Sequence, residues 1–465
     1  MLRLFRQYYP IHSIFFILGE GVLIYGAVLA GAFISIGPSV FRTELWFYAK
    51  LSLVTVVCQA CLYFNELYDL RVVDGAKELG IRLLQSFGYA GVFLGLIFFV
   101  LPETIIGTAI FMRGVGVVII LIGSWRFLYA LALDKGILNQ KIILLGSGDL
   151  IRRIRQEINS RKDCGYSVAI ELPESVNGAE TEHTVEVQLS CINRFEGLCE
   201  LGRSSNAKKI VVGFLEKRCA LPVQELLRCR VEGMEILEAN SFYEMLTGKL
   251  LVESLNPGWL IFSRGFHKSR LMRLVKRTID FILAASLLVL LSPIFILAAG
   301  AIRLDTPGPI FFSQQRVGER RRTYRMHKLR SMVEDAEKLS GPVWAEEDDP
   351  RITRVGKVLR RLRIDELPQL WNVLKGEMSF VGPRPERACF VAELDKVVPY
   401  YGERFLVKPG ITGWAQVNYG YGASVQDAVE KLNYDLFYVK NMSILIDFLV
   451  MLKTIRILLF GYGVH

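Results

Sequence analysis

Two adjacent carboxylates, Asp365 and Glu366, stand just before Pro368 in IDELPQ. Cationic side chains gather around them along the chain: Lys328 and Arg330 in HKLRSM, Arg360 and Arg363 upstream, and Arg384 in GPRPE. Guanidinium donors that do not titrate suit a phosphate or diphosphate. Carboxylates beside them can hold a divalent metal or attack phosphorus. Lys328 and Arg330, at i and i+2, share one face if their segment is extended. Neighbouring carboxylates repel, so a nearby Mg²⁺ and the arginines are expected to keep both ionised. Taken alone, the pattern has a plainer explanation: Asp-Glu before a proline is commonly a solvated helix start, and basic residues also bind lipid surfaces. Glu347-Asp348-Asp349 offers a rival metal motif, of the kind a metal-dependent glycosyltransferase would use. Gly146-Ser147-Gly148 sits where a phosphate-binding turn belongs, but Ile151 replaces the third glycine of GxGxxG. That favours a structural or regulatory domain over redox chemistry.

Three kinds of element must position these residues. Apolar stretches at about 11–36, 45–64, 83–101 and 104–131 each approach the ~20 residues needed to cross a bilayer. Glu20, Lys50 and Arg113 interrupt them, and Arg113 is expected to snorkel near one end. Arg3 and Arg6 precede the first stretch, Arg71, Lys77 and Arg82 follow the second, and Arg126 and Lys135 close the fourth. This bias places both ends of the bundle in the cytoplasm, with Arg42 dissenting. From Lys141 onward, short β-rich runs (141–146, 166–172, 208–213, 234–238) alternate with helical ones, the signature of a parallel Rossmann-type sheet. Phe281 to Ile302 is then wholly uncharged, yet it is flanked by Lys268, Arg270, Arg273, Lys276 and Arg277 on one side and by Arg303, Arg316 and Arg320 on the other. Both flanks should stay cytoplasmic, which a single crossing cannot arrange. Ser292-Pro293 at the midpoint resolves the conflict: proline breaks the helix, the serine hydroxyl can satisfy a freed carbonyl, and the segment re-enters on the side it left. The last apolar run, Ser443–Phe460, carries Asp447, Lys453 and Arg456 and reads as an amphipathic interfacial helix.

Composition agrees. The chain has 465 residues, a net charge of +10, 28 Phe and 18 Tyr, and a mean hydropathy of +0.33. It is too apolar for an ordinary soluble protein. Apolar segments beside basic ones suggest an anionic membrane face and a phosphorylated ligand before they suggest nucleic acid. The eight cysteines form no paired framework, and Cys58 and Cys61 sit inside an apolar helix as packing residues. Without a small-residue cleavage site after Arg3 and Arg6, the first apolar run is expected to be an anchor, not a signal peptide. The fold class that follows is membrane α plus α/β. It comprises a four-helix transmembrane bundle (1–135), a Rossmann-like nucleotide-binding-type accessory domain (136–262), and an α/β catalytic domain (263–465) with a re-entrant membrane hairpin at 278–302.

From about residue 270 onward the chain carries KRTID, the Ser-Pro break, PGPIFFSQQRVG, HKLRSM, DPRITRVG, IDELPQ, LKGEMSFVGPRPE, KPGITGWAQVN and DLFYVKNMS, in that order. This series resembles the bacterial sugar transferase family, the monotopic polyprenyl-phosphate hexose-1-phosphate transferases. The whole layout is similar to its long forms, the undecaprenyl-phosphate glucose or galactose phosphotransferases, and to the sugar transferases that accompany exopolysaccharide export. Ile364 stands where leucine is usual and Tyr419 where glycine is commoner; neither touches the charged set.

The resemblance implies a reaction. Asp365 would attack the sugar-bearing β-phosphorus of a UDP-sugar, expel UMP and hold the phosphosugar as an acyl phosphate, which undecaprenyl phosphate would then accept. Glu366 would position Mg²⁺ or take a proton, with the metal also near Asp365, while Lys328, Arg330, Arg360 and Arg384 would bind phosphate. The protein would work in the bacterial inner membrane among its lipids, with the catalytic part on the cytoplasmic face, as the first membrane step of exopolysaccharide, capsule or O-antigen synthesis. The other two parts would support homodimerisation or nucleotide-sensitive regulation. The alternatives are the metal-dependent glycosyltransferase above and a non-catalytic membrane nucleotide sensor or scaffold.

Overall fold

A computed structural model describes residues 2–4, 7–9, 11–38, 45–68, 76–161, 163–173, 195, 197–214, 221–255, 258, 263, 265–266, 268–333, 349–420, 422 and 424–460. Between Ala239 and Asn240 the chain divides into two compact units.

The first unit opens with α1 (Ile11–Ile36), α2 (Leu45–Phe64), α3 (Ala76–Val100) and α4 (Thr108–Asp134). All four are long and apolar enough to cross a membrane. Their outward faces expose Phe15, Val22, Phe99 and Ile120, as lipid-facing helices do. Helices α1 and α4 cross closely. A side chain at Gly31 would meet the Gly114 backbone at 2.6 Å, the small-residue contact that lets membrane helices approach. Glu20, which in the sequence only interrupts a span, is fully buried and accepts two bonds from Arg126 at 2.8 and 3.0 Å. Arg126 also donates to the Leu67 carbonyl at 2.7 Å and lies over the Phe16 and Tyr68 rings. Pairing inside the bundle is how such charges are tolerated there. Arg113 reaches the end of α1, donating to the Ile34 carbonyl and Ser35 Oγ.

The expected parallel sheet follows. Strands β1 (Gln140–Gly146), β2 (Tyr166–Leu172), β3 (Ala207–Gly213) and β4 (Glu235–Glu238) run in the order β2-β1-β3-β4. Helices α5 (Asp149–Ser160), α6 (Leu198–Ser204) and α7 (Val223–Val231) connect or follow them. Ile151, Ile154 and Ile158 bury one stripe of α5. Gly146 has φ +115°, and a Cβ there would lie 2.2 Å from the Gly213 carbonyl oxygen. Ile151 fills the space beside Gly213, so the GxG turn is closed by packing where the dinucleotide motif would hold its third glycine.

The second unit starts with α8 (Ala239–Thr247), tied by Glu244 to Asn441 and Lys440. Helices α9 (Arg270–Leu290) and α10 (Ser292–Asp305) meet at Leu291 with a bend of 60°. Ser292 Oγ donates to the Val289 carbonyl at 2.8 Å, and Pro293 occupies the first turn of α10, where its missing N–H costs nothing. The antiparallel pair β5 (Phe311–Val317) and β6 (Thr323–Leu329) comes next, then α11 (Arg354–Arg361), α12 (Gln369–Lys375), β7 (Ser379–Val381), α13 (Ala388–Val397), β8 (Gly410–Thr412), α14 (Trp414–Asn418), α15 (Val425–Asn441) and α16 (Ile444–Phe460). The core gathers Leu432, Leu436, Phe437 and Val439 of α15 against Trp414, Tyr401, Val381 and Val391.

Both arms of the elbow are fastened to one segment of this core. From α9, Lys276 donates to the Val381 carbonyl at 3.1 Å and to Asp447 at 2.5 Å, and Asp280 accepts from the Phe380 N–H. Beyond α10, Arg316 donates to the Pro385 carbonyl and the Glu386 carbonyl accepts from the Val317 N–H. Residues 380 to 386 span at most about 20 Å even fully extended, less than the ~30 Å hydrocarbon core. Cysteines placed at the exposed ends, Arg270 and Arg320, are therefore expected to react with an impermeant maleimide from the same face of sealed vesicles. Labelling from opposite faces would contradict the docking of both arms.

Candidate active site

Asp365 and Glu366 lie on a 3-10 turn, Ile364–Glu366, between α11 and α12. Three contacts build the turn. Arg363 takes the left-handed conformation at φ +56°, which turns the chain sharply after α11. Thr353 caps α11 by accepting from the Gly356 N–H. Asn372, fully buried on α12, donates to the Arg325 carbonyl at 2.7 Å and accepts from the His327 N–H at 3.1 Å, locking α12 to β6. The end of β6 thus faces the turn.

Four of the cations singled out in the sequence converge here. Lys328 Nζ lies 3.0 Å from Glu366 Oε1, Arg384 Nη2 lies 3.3 Å from the same oxygen, and Arg363 Nη1 is 3.9 Å away. Arg360, on the last turn of α11, donates through Nε to Ser331 Oγ at 2.9 Å, which sets its orientation. Arg330 has another engagement. It is 6% exposed and donates to the Pro307 carbonyl and to both oxygens of Thr306, fastening the loop between α10 and β5.

The two carboxyls behave oppositely. Burial by itself would raise Glu366, but Lys328, Arg384 and Arg363 outweigh it and hold the group well below the usual carboxylate range. For Asp365 burial dominates: it pushes the carboxyl above the ordinary value against the pull of Lys328, and the charge of Glu366 adds to the rise. Asp365 Oδ1 is buried without a hydrogen-bond partner among the described residues. A carboxyl oxygen left bare in this way is, once ionised, suited to a metal cation or an electrophilic phosphorus. It fits a Mg²⁺ site of the usual kind, one or two carboxylates completed by substrate phosphates. Glu366 already spends Oε1 on its cations. No cluster of three or more His, Cys, Asp or Glu suited to a metal occurs among the described residues.

The rival motif looks different. Residues 347 and 348 lie outside the described residues, while Asp349 is clamped by the Arg351 side chain at 2.5 to 3.1 Å, with its carboxyl pulled down to about 2 by those bonds. A cleft of about 450 Å³ opens across β5, β6 and the end of α12, lined by Gln315, Arg325, His327 and Lys375, and the two carboxylates do not line it. Ser331 was not singled out in the sequence; nothing in its spacing marks it, because its role comes from α11 folding back onto it.

A family profile described as bacterial sugar transferase matches residues 271–461. The chain is 42% identical over 238 residues to the UDP-N-acetylgalactosamine-undecaprenyl-phosphate N-acetylgalactosaminephosphotransferase of Aeromonas hydrophila, covering 51% of this chain and 55% of that one. It is 40% identical over 188 residues to the UDP-glucose:undecaprenyl-phosphate glucose-1-phosphate transferase of Escherichia coli, 39% of this chain and 40% of the other. It is also 39% identical over 186 residues to the exopolysaccharide production protein PSS of Rhizobium leguminosarum, 39% of this chain and 93% of the relative. The match thus spans about half or less of the two long relatives.

The contact between Lys328 and Glu366 can be measured as a coupling. Lys328→Met and Glu366→Gln are each expected to lower unfolding stability in detergent by about 1–3 kcal/mol. The double variant should fall short of the sum by about 0.5–3 kcal/mol. Simple additivity in denaturant titrations would mean that the 3.0 Å contact carries no energy.

Proposed function

This chain belongs to the bacterial sugar transferase family, and from that premise we propose that it moves a hexose-1-phosphate from a UDP-sugar onto undecaprenyl phosphate through a covalent Asp365 intermediate. The observation that carries the reading is the bare, buried Oδ1 of Asp365 beside a carboxylate already saturated with cations. The two long relatives are named for UDP-N-acetylgalactosamine and UDP-glucose donors with undecaprenyl-phosphate acceptors. Their shared chemistry, a UDP-sugar and a polyprenyl phosphate, is what we carry over.

In the first step Asp365 Oδ1 forms a bond to the β-phosphorus of the UDP-sugar, and the bond from that phosphorus to the bridging oxygen breaks. UMP leaves with the electron pair, and the phosphosugar remains as an acyl phosphate. In the second step an oxygen of undecaprenyl phosphate attacks the same phosphorus, the acyl bond breaks, and the carboxylate is restored. Lys328, Arg360 and Arg384 neutralise the phosphoryl oxygens as charge moves toward UMP. Glu366 keeps Lys328 and Arg384 in place. Arg330 holds the 306–307 loop over which the acceptor would approach. Mg²⁺ would be held by Asp365, with Glu366 adjoining and diphosphate oxygens completing its shell, and would supply further neutralisation.

Two large elements follow from the same reading. The elbow of α9 and α10 would enter the cytoplasmic leaflet and return, bringing the carboxylates to the headgroup depth of the lipid acceptor; the fastening of both arms to residues 380–386 supports this. The four-helix bundle anchors the protein in the inner membrane, with the catalytic unit on the cytoplasmic side.

Asp365→Asn is expected to abolish UMP release from a panel of UDP-sugars while UDP-sugar binding survives, and chelation by EDTA should stop the wild-type enzyme. More than a few per cent of activity in either case would sink the covalent or the metal assignment respectively. In the metal-free protein, burial raises Asp365 against the pull of Lys328, so its carboxyl is expected to take up a proton above the ordinary aspartate value of about 3.9 as pH falls. Lys328→Met removes a lowering charge and should move that titration higher, as followed by carboxyl NMR without added metal; an unmoved titration would mean that Lys328 does not act on Asp365.

A further inference from the structure

Arg384 sits between two prolines, and neither Pro383 nor Pro385 has an N–H. Such a turn can be held to the protein mainly through its carbonyls. All four carbonyls from 383 to 386 are taken. Pro383 accepts from the Gly410 N–H at 3.0 Å and Glu386 from the Val317 N–H at 3.0 Å. The two between them accept from side chains: Arg384 from Arg404 Nη2 at 3.0 Å and Pro385 from Arg316 Nη1 at 3.2 Å. At the centre of the turn, the carbonyl of Arg384 itself is held by the Arg404 guanidinium.

That guanidinium is unusually well fixed. Arg404 is 6% exposed and lies over the rings of Tyr401 and Phe405 at 5.0 and 5.9 Å. Its Nη1 donates to the Tyr401 hydroxyl, and its Nη2 donates to Asp435 Oδ2 at 2.8 Å as well as to the Arg384 carbonyl. Asp435, 1% exposed, stands on α15 in the middle of the core. A buried pair of this type contributes little net stability compared with an apolar replacement, so its value lies in what it orients. Here it carries the rigidity of α15 to the one residue whose side chain leaves the turn for Glu366.

We propose that Arg404 and Asp435 are positioning residues that fix the backbone of Arg384, so that its guanidinium meets Glu366 Oε1 and the substrate phosphate together. The inference rests on the phosphate role given to Arg384 above. Lysine cannot replace Arg404, because one ammonium cannot serve the planar set of Tyr401, Asp435 and the Arg384 carbonyl.

Four full-length proteins in detergent test it: the wild type, Arg404→Lys, Arg384→Ala and the double variant, each assayed for UMP release with undecaprenyl phosphate. Arg404→Lys is expected to lose about 10- to 100-fold in kcat/KM, as misplacement of a catalytic group does, while adding almost nothing to the loss of Arg384→Ala. Equal losses in both backgrounds would show that Arg404 serves the fold alone and overturn the proposal. Should Arg404→Lys fail to fold by circular dichroism, Asp435→Asn, which keeps the side-chain shape, takes its place in the same comparison. If the wild type transfers no sugar phosphate, the proposed function fails, and titration calorimetry with UDP then decides this inference separately. Weaker UDP binding in Arg404→Lys that disappears in the Arg384→Ala background sustains it; no UDP binding by the wild type, or equal weakening in both backgrounds, overturns it.

Discussion

One oxygen atom, Glu366 Oε1, draws together three parts of the chain that would otherwise repel one another. Lys328 arrives from the end of β6, Arg363 from the turn after α11, and Arg384 from the Pro-Arg-Pro segment. Three cations held this close without an anion would push apart. With Glu366 ionised, each of them has an opposite charge within 4 Å. The same arrangement decides the character of its neighbour. Because the cations spend themselves first on Glu366, Asp365 is left with the balance of burial against attraction, and burial wins. Two identical functional groups, adjacent in sequence, are driven to opposite behaviour by position alone.

Much of this was legible in the sequence, and for physical reasons. The uncharged run 281–302 with cations at both ends could have only a few fates, and Ser292-Pro293 marked the place of the bend. The four long apolar helices and the parallel sheet are written in hydropathy and in alternating runs, signals that depend only on neighbours. Asp365, Glu366, Lys328 and Arg384 could be picked out as a charged set, but charge alone also fits a solvated helix start, and their roles came with the family resemblance. What was not legible depends on three dimensions. Glu20 and Arg126 are 106 residues apart, and neither position announces a partner. Arg330 and Lys328 look equivalent in HKLRSM, yet one turns to a loop and the other to the carboxylates. Arg404 looks like one more surface arginine in GERFL until the fold brings it beneath Arg384.

The first unit follows a simpler logic of close approach. Gly31 and Gly114 let two membrane helices touch, and Gly146 and Gly213 let strands meet a helix with no room for a side chain. In the sheet, that closeness is used to seat Ile151 against Gly213, at the place where the dinucleotide motif packs its third glycine. The glycines in both places serve packing.

The elbow has an implication for the order of events in synthesis. Its arms are secured by Val381 and Asp447, which lie 105 and 171 residues beyond Lys276. In a chain made from its N-terminus, the apolar run exists well before either anchor has been translated. During that interval the 60° bend can rest only on local contacts: the Ser292 Oγ bond to the Val289 carbonyl and the place of Pro293 in the first turn of α10. Pro293 therefore acts in time as well as in space: it marks the bend before the later partners of α9 have been made.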